Sequence, residues 1–449
     1  MTTYMFLKRA AFSLAFLAIF GYIPVVKANP LFARQTGLKC ASCHTIYPEL
    51  TPFGRKFKLG GYTLGERQKI PLALMAIVSR NSINDNTDKS TGEKIYGKNG
   101  DFALEAISLF SGGKFTDNAG GFIQWTYNNI STTDNQHFYG HSALDNTDLR
   151  LVKTIGPEEK SMLFGLTLHN NPTVQDVFNT TPAWSYPYYS PSLAAPGRGT
   201  QTFLESGARV AGVGIYSYLF DSLYLEGTSY QTAKGAFSVL RAGTPESQRI
   251  SLSGSNPYWR IAYTFGDENQ NLTLGHFGAN VAVDVADGIT PADRFRDRGF
   301  DVQYQFFSKD KHHIVTAHAS VIKEKTDWRS GFPNGINDNP SSTLRSTRAK
   351  ISYLYDRTYG ITAGGFKVTG DADFARFGST TGNPDTTGYI LELNYWPTFN
   401  FLWDPQMNVR FGLQYTAYTK FNGSASNYDA TLRDAKNNNT LYLYAWFMF

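Results

Sequence analysis

Between residues 299 and 307 the chain alternates strictly: Phe300, Val302, Tyr304 and Phe306 are apolar, while Asp301, Gln303 and Gln305 between them are polar. The same period runs from 407 to 417, where Met407, Val409, Phe411, Leu413, Tyr415 and Ala417 alternate with Asn408, Arg410, Gly412, Gln414 and Thr416. Tyr389, Leu391, Leu393 and Tyr395 oppose Glu392 and Asn394, and Trp259, Ile261, Tyr263 and Phe265 oppose Arg260 and Thr264. Period two puts successive side chains on opposite faces of a strand. Segments of about ten residues have the length a tilted strand needs to cross a bilayer.

A soluble sandwich alternates too, so the links between strands decide the class. Sixteen candidate strands begin near residues 72, 102, 120, 144, 160, 208, 221, 257, 270, 298, 312, 343, 358, 387, 406 and 439. Long links (81–100, 171–206, 231–255, 325–341, 369–386 and 421–438) alternate with tight turns at Asp117 to Ala119, Gly156 to Glu159, Lys309 to Lys311 and Asp356 to Arg357. Outer-membrane barrels separate their connections in this way, with loops outside and turns in the periplasm. The end of the chain, Leu441, Tyr442, Leu443, Tyr444, Ala445, Trp446, Phe447, Met448, Phe449, reads as an aromatic strand at the bilayer interface that closes against the first. The expected fold class is all-β: a transmembrane antiparallel β-barrel of about 16 strands, with both termini in the periplasm.

Residues 1–28 read as a signal peptide. Lys8 and Arg9 precede an apolar run from Ala10 to Val26, and Val26, Lys27, Ala28 supplies a small-x-small cleavage site before Asn29. Removing the leader takes Lys8, Arg9 and Lys27 with it, leaving 39 basic against 37 acidic residues, a near balance that gives no basis for nucleic-acid binding. Aromatic residues make up 15% of the chain, as an interface-rich barrel requires.

The only two cysteines lie in Cys40, Ala41, Ser42, Cys43, His44. Two thiols at this spacing can add across both vinyl groups of one haem, and the adjacent histidine then stands as proximal iron ligand. A zinc half-site lacks a second Cys or His pair nearby, and a thioredoxin-like dithiol lacks its βαβ surroundings. One covalent haem c is therefore the cofactor expected, and export past the cytoplasm suits its attachment. Residues 29–70 form the cytochrome segment and 71–449 the barrel. About 40 residues from Arg34 to Lys69 are too few to bury a haem alone, so the barrel wall must complete the pocket and the segment must plug or cap the periplasmic side.

The stretch from Pro30 to Leu64, PLFARQTGLKCASCHTIYPELTPFGRKFKLGGYTL, resembles the N-terminal signature of the fused monohaem cytochrome and porin family of bacterial outer membranes. The match lies in Phe32, Ala33, Arg34, Gln35, Thr36 and Gly37 before the haem motif, and in Pro48, Leu50, Phe53, Gly54, Arg55, Phe57, Gly61 and Tyr62 after it. The family's best known members are iron oxidases. The resemblance implies an Fe(II)-oxidising cytochrome that takes electrons at the cell surface and passes them to a periplasmic cytochrome c. It transfers no substrate by itself, because related fusions occur without evident iron metabolism.

Met75, on the lumenal parity of the first strand, is the candidate sixth ligand and would raise the haem potential. Its plain alternative is to fill the strand's inner face. His169 and His318 share lumenal parity, as reach-in ligands or ordinary lumen polar residues, and His312 and His313 fall by a turn in solvent. Arg55, with Lys56 and Lys58, stands close enough in sequence to meet the haem propionates. Arg348, Lys350, Arg410, Glu392, Arg150, Asp148 and Arg260 point into the lumen, to fix the plug or wet the pore. Acids at Asp85 and Asp88, and at Asp284, Asp287 and Asp293, match no metal-binding spacing. Two functions remain open: outer-membrane transfer of electrons from an extracellular reductant, Fe(II) first, or a porin-like channel whose haem is a plug, sensor or redox relay unrelated to iron.

Overall fold

The computed structural model describes residues 31–448 except 132–136, 158–159, 173, 182–184, 193–194, 285–290 and 398–407. The signal peptide expected at 1–28 and Asp287 lie outside the described residues. Sixteen long strands form the wall: β1 Leu72–Ile83, β2 Phe102–Thr116, β3 Ala119–Ser131, β4 Phe138–Ile155, β5 Met162–His169, β6 Ala211–Leu219, β7 Leu223–Gln231 and β8 Asn256–Gly266, then β9 Gln270–Asp284, β10 Asp293–Phe307, β11 His313–Asp327, β12 Ser341–Tyr355, β13 Tyr359–Gly370, β14 Thr386–Tyr395, β15 Asn408–Lys420 and β16 Thr440–Met448. A two-residue strand, Ser251–Leu252, pairs with the end of β9.

Every neighbouring pair is antiparallel, and β16 pairs with β1 from Met75↔Met448 to Ile83↔Thr440, so the sheet closes without a free edge. The alternation orients each strand as expected. Leu72, Leu74 and Val78 of β1 are exposed outward, while Ala73, Met75, Ile77 and Ser79 are buried. Leu391 and Leu393 of β14 and Leu413 of β15 face outward, and Glu392, Asn394, Arg410 and Gln414 face in. An apolar exterior around a closed sheet is the solution for a lipid surround, where no backbone group can stay unpaired.

Short connections, such as 117–118, 220–222, 267–269 and 356–358, gather at one mouth and long ones at the other. By the rule for outer-membrane barrels the short-turn mouth faces the periplasm.

One long link departs from expectation. The segment from 171 to 206, assigned to the outside, turns into the lumen: Val174, Gln175, Asp176, Val177, Phe178, Asn179 and Thr180 are all buried. Asp176 folds it locally, its carboxylate accepting the backbone N–H groups of Phe178 at 2.8 Å, Thr180 at 2.8 Å and Thr181 at 3.0 Å. The apolar Val174, Val177 and Phe178 supply the reason, since outside the barrel they would be left in water.

Residues 31–70 fill the short-turn mouth as three small helices, α1 Leu31–Thr36, α2 Cys40–Cys43 and α3 Pro52–Leu59. Thr51 caps α3 by accepting the Gly54 N–H at 3.1 Å, and a proline opens its first turn, as helix N-termini favour. α3 crosses α2 so closely that a Cβ on Gly54 would lie 2.1 Å from the Cys43 carbonyl oxygen.

The candidate haem-binding cavity

The plug is bolted to the wall by side chains from both. Arg55 donates to Gln303 at 3.0 Å, Gln305 at 3.1 Å and Asn271 at 3.1 Å. The hydroxyl of Tyr62 donates to Asp148 at 2.6 Å, and Lys56 pairs with Asp221 at 2.8 Å. From the wall, Arg357 donates to the carbonyls of Ala41 at 2.6 Å and His44 at 3.1 Å, and Arg410 to that of Tyr47 at 3.0 Å. Glu49 ion-pairs with Lys350. The backbone N–H of Leu50 reaches Asn179 of the inward-folded segment at 3.0 Å. These contacts supply the burial that so short a segment cannot supply itself.

Between plug and wall lies a cavity lined by Cys40, Cys43 and His44 together with Phe32, Tyr47, Phe57, Tyr62, Phe110 and Phe122. The rings pack on each other: Phe32 stacks on Tyr62 and meets Phe57 edge-on, both at 5.1 Å, and Phe110 stacks on Phe122 at 5.6 Å. An apolar, aromatic lining with a few polar groups to fix orientation is that of a cofactor pocket.

His44 is held by its Nδ1, 3.2 Å from the Pro48 carbonyl oxygen, which leaves Nε2 as the uncommitted nitrogen. A carbonyl on the far nitrogen is how a metal-binding imidazole is oriented. Burial pulls the His44 pKa down to about 4, so the ring is neutral at neutral pH and keeps the lone pair a metal needs. Burial pushes the Cys43 thiol up to about 11, the reverse of the depressed thiol that a redox dithiol requires. Donors and cavity therefore fit a haem c.

Other sequence expectations fall differently. Met75 is buried on the inner face of β1 but does not line the cavity; its cross-strand partner Met448 does, the only thioether lining it among the described residues. Parity alone could not separate the two, because both face inward and only the curvature of the closed wall brings one to the plug. Arg55, expected at the propionates, is spent on the wall amides, whereas Lys58 lines the cavity and Lys39 stands exposed at its edge. Burial lowers the Lys58 pKa to about 8, and its ammonium donates to the carbonyls of Val174 and Asp176, the latter at 3.2 Å.

Neither His169 nor His318 lines this cavity. His169 is buried between Thr167 at 2.7 Å and Tyr230 at 3.2 Å, and His318 lies 3.8 Å from Asp301. His312 and His313 are exposed beside their turn. The inward charges are paired rather than wet: Arg260 with Asp301 at 2.5 Å, Arg150 with Asp148 at 3.0 Å and Arg410 with Glu392 at 2.5 Å, all buried.

A closed 16-strand barrel with an outward apolar belt and a folded plug defines the class: an outer-membrane porin-like β-barrel. No family model matches the chain, and no curated relative matches it by sequence. Among solved structures it is similar to the outer membrane channel DcaP of Acinetobacter baumannii, with TM-score 0.45 and 13% identity over 86% of this chain and 99% of that one. It is also similar to Salmonella typhi OmpF in complex with daunomycin, with TM-score 0.44 and 11% identity over 84% of this chain and 97% of that one. An anion-selective porin from Comamonas acidovorans gives TM-score 0.42 and 11% identity over 85% and 98%. Likenesses this loose say nothing about what this barrel binds or passes; its fold rests on its own strand pairing.

Proposed function

We propose that the barrel holds one covalently attached haem c in the plug cavity and serves as an outer-membrane electron-transfer protein. The observation that carries this reading is the convergence of Cys40, Cys43 and His44 on a cavity walled by aromatic rings. Cys40 and Cys43 would form the two thioether bonds, His44 would give its Nε2 lone pair to the iron, and Met448, in place of Met75, would give its sulfur. The aromatic wall would keep water from the porphyrin, and Lys39, exposed at the cavity's edge, would face its carboxylates. When bound, the haem supplies a one-electron acceptor, reduced by one equivalent of reductant and reoxidised by a carrier. The N-terminal resemblance names the partners: extracellular Fe(II), which becomes Fe(III), and a periplasmic cytochrome c.

The rival reading, a porin-like channel whose haem is a plug, sensor or redox relay unrelated to iron, has the porin-like fold in its favour; against free solute passage stands a lumen in which the plug, the 174–181 segment and buried ion pairs occupy the bore. Porins keep such charges in water. Anaerobic mixing of the purified full-length protein with Fe(II) tests the proposal. Ferrous haem bands should rise faster than mixing with Fe(III) or Zn(II) can produce them. A haem that stays ferric with Fe(II) yet reduces with dithionite would sink the iron reading, and a protein whose pigment leaves in acid acetone would sink the covalent haem itself.

A further inference from the structure

Halfway along the barrel, separate from the plug cavity, is a second, smaller chamber. Tyr186, Arg198, His318, Ser320, Arg348 and Lys350 line it, the Tyr186 ring packed so closely on Gly364 of β13 that a Cβ there would lie 2.7 Å from it. Its lining carries Arg198, Arg348 and Lys350 and no carboxylate. Of the neighbouring carboxylates, Glu49 is bonded through Oε2 to Lys350 and the Tyr188 hydroxyl, while its Oε1, like Oδ1 of Asp301, has no hydrogen-bond partner. Asp301 is taken by Arg260 and Thr180, and Glu392 by Arg410, Gln414 and Tyr444. Glu205 accepts Arg348 Nε and the Ser346 hydroxyl, both at 2.7 Å, with its other oxygen on Thr202. Half-buried Arg198 makes no ion pair among the described residues: its Nη1 donates to the Tyr186 carbonyl at 3.0 Å, and the acid that acts on it, Glu205, is bonded to Arg348.

Two further donors, on side chains that line the chamber, are unsatisfied. Arg348 Nη1 and the Tyr186 hydroxyl are both buried and have no hydrogen-bond partner. A lone cation and orphaned donors inside a protein each cost free energy on the scale of a lost hydrogen bond or more, and such groups are ordinarily paired. Burial and then the adjacent Arg348 cation lower the Arg198 pKa to about 9, with Glu205 acting in the opposite sense. Guanidinium groups present planar forks of N–H donors, which suit the oxygens of an oxyanion better than a spherical halide.

We propose that this chamber is a binding site for one small tetrahedral oxyanion of the sulfate or phosphate class, held between Arg198 and Arg348 with the Tyr186 hydroxyl as a further donor. The site does not depend on the haem reading. Occupied, it neutralises the unpaired charge and ties the inward-folded segment, through Arg198 and Tyr186, to β12 through Arg348.

Equilibrium dialysis of the full-length protein in uncharged detergent against radiolabelled sulfate, and separately phosphate, tests it. One saturable site per barrel is expected for at least one of the two. Arg198→Gln and Arg348→Gln should each weaken it at least tenfold, and Tyr186→Phe severalfold, in samples whose gel mobility shows a folded barrel. Should the arginine variants fail to assemble, Tyr186→Phe, which removes a single hydroxyl, decides. No saturable binding, binding unchanged in the variants, or displacement of the oxyanion by an equal concentration of chloride would each overturn the assignment.

Discussion

Met75 and Met448 sit opposite each other in the register of β1 and β16, and both point inward, yet only Met448 borders the cavity with His44. If a thioether completes the haem, Met448→Leu should abolish the weak near-infrared absorption of sulfur-ligated ferric haem and lower the midpoint potential, whereas Met75→Leu should leave both intact. The reverse result would restore Met75, and loss in neither would exclude a thioether from the sixth position. Arg55 makes a different kind of contribution. Its guanidinium satisfies three buried amides of the wall, so Arg55→Ala should lower stability by on the order of 3 kcal/mol, read as a shifted denaturant midpoint with the haem spectrum unchanged in the folded fraction. A direct role at the propionates would instead move the potential.

Strands followed the sequence closely because each strand's two faces meet different solvents, and period two reports that contrast locally. The 171–206 link was misplaced because length was taken as the sign of an external loop. Its aromatic residues, Phe178, Tyr186, Tyr188 and Tyr189, were a signal that could have corrected the assignment, as external loops gain nothing from burying-type side chains. Single cysteines introduced at Ile336, Val177 and Lys309 separate the arrangements. An impermeant thiol reagent on intact cells should label Ile336→Cys in the exposed 328–340 loop, spare Val177→Cys inside the barrel, and reach Lys309→Cys only after the periplasm is opened. Ready labelling at Val177→Cys would mean that the segment lies outside.

At the level of the molecule, plug, inward segment and paired lumenal charges leave a bore far narrower than a 16-strand wall alone encloses. Reconstituted in a planar bilayer, the protein should show no steady porin-like conductance. A large, stable current would show that the plug leaves its seat and would favour the channel reading.

The repeating contrast between lipid and lumen, the alternation of link lengths and the Cys-x-x-Cys-His spacing are local in the chain; from the first two the sequence alone determined the barrel and its strand number, and the third is the ground for the cofactor proposed above. Which charges neutralise one another, which inward methionine reaches the plug, and which long link folds back inside were decided only by closure of the sheet. Closure sets residues more than a hundred positions apart side by side, as with Arg55 and Gln303 or Glu49 and Lys350, and no periodicity along a chain carries the distance between such partners.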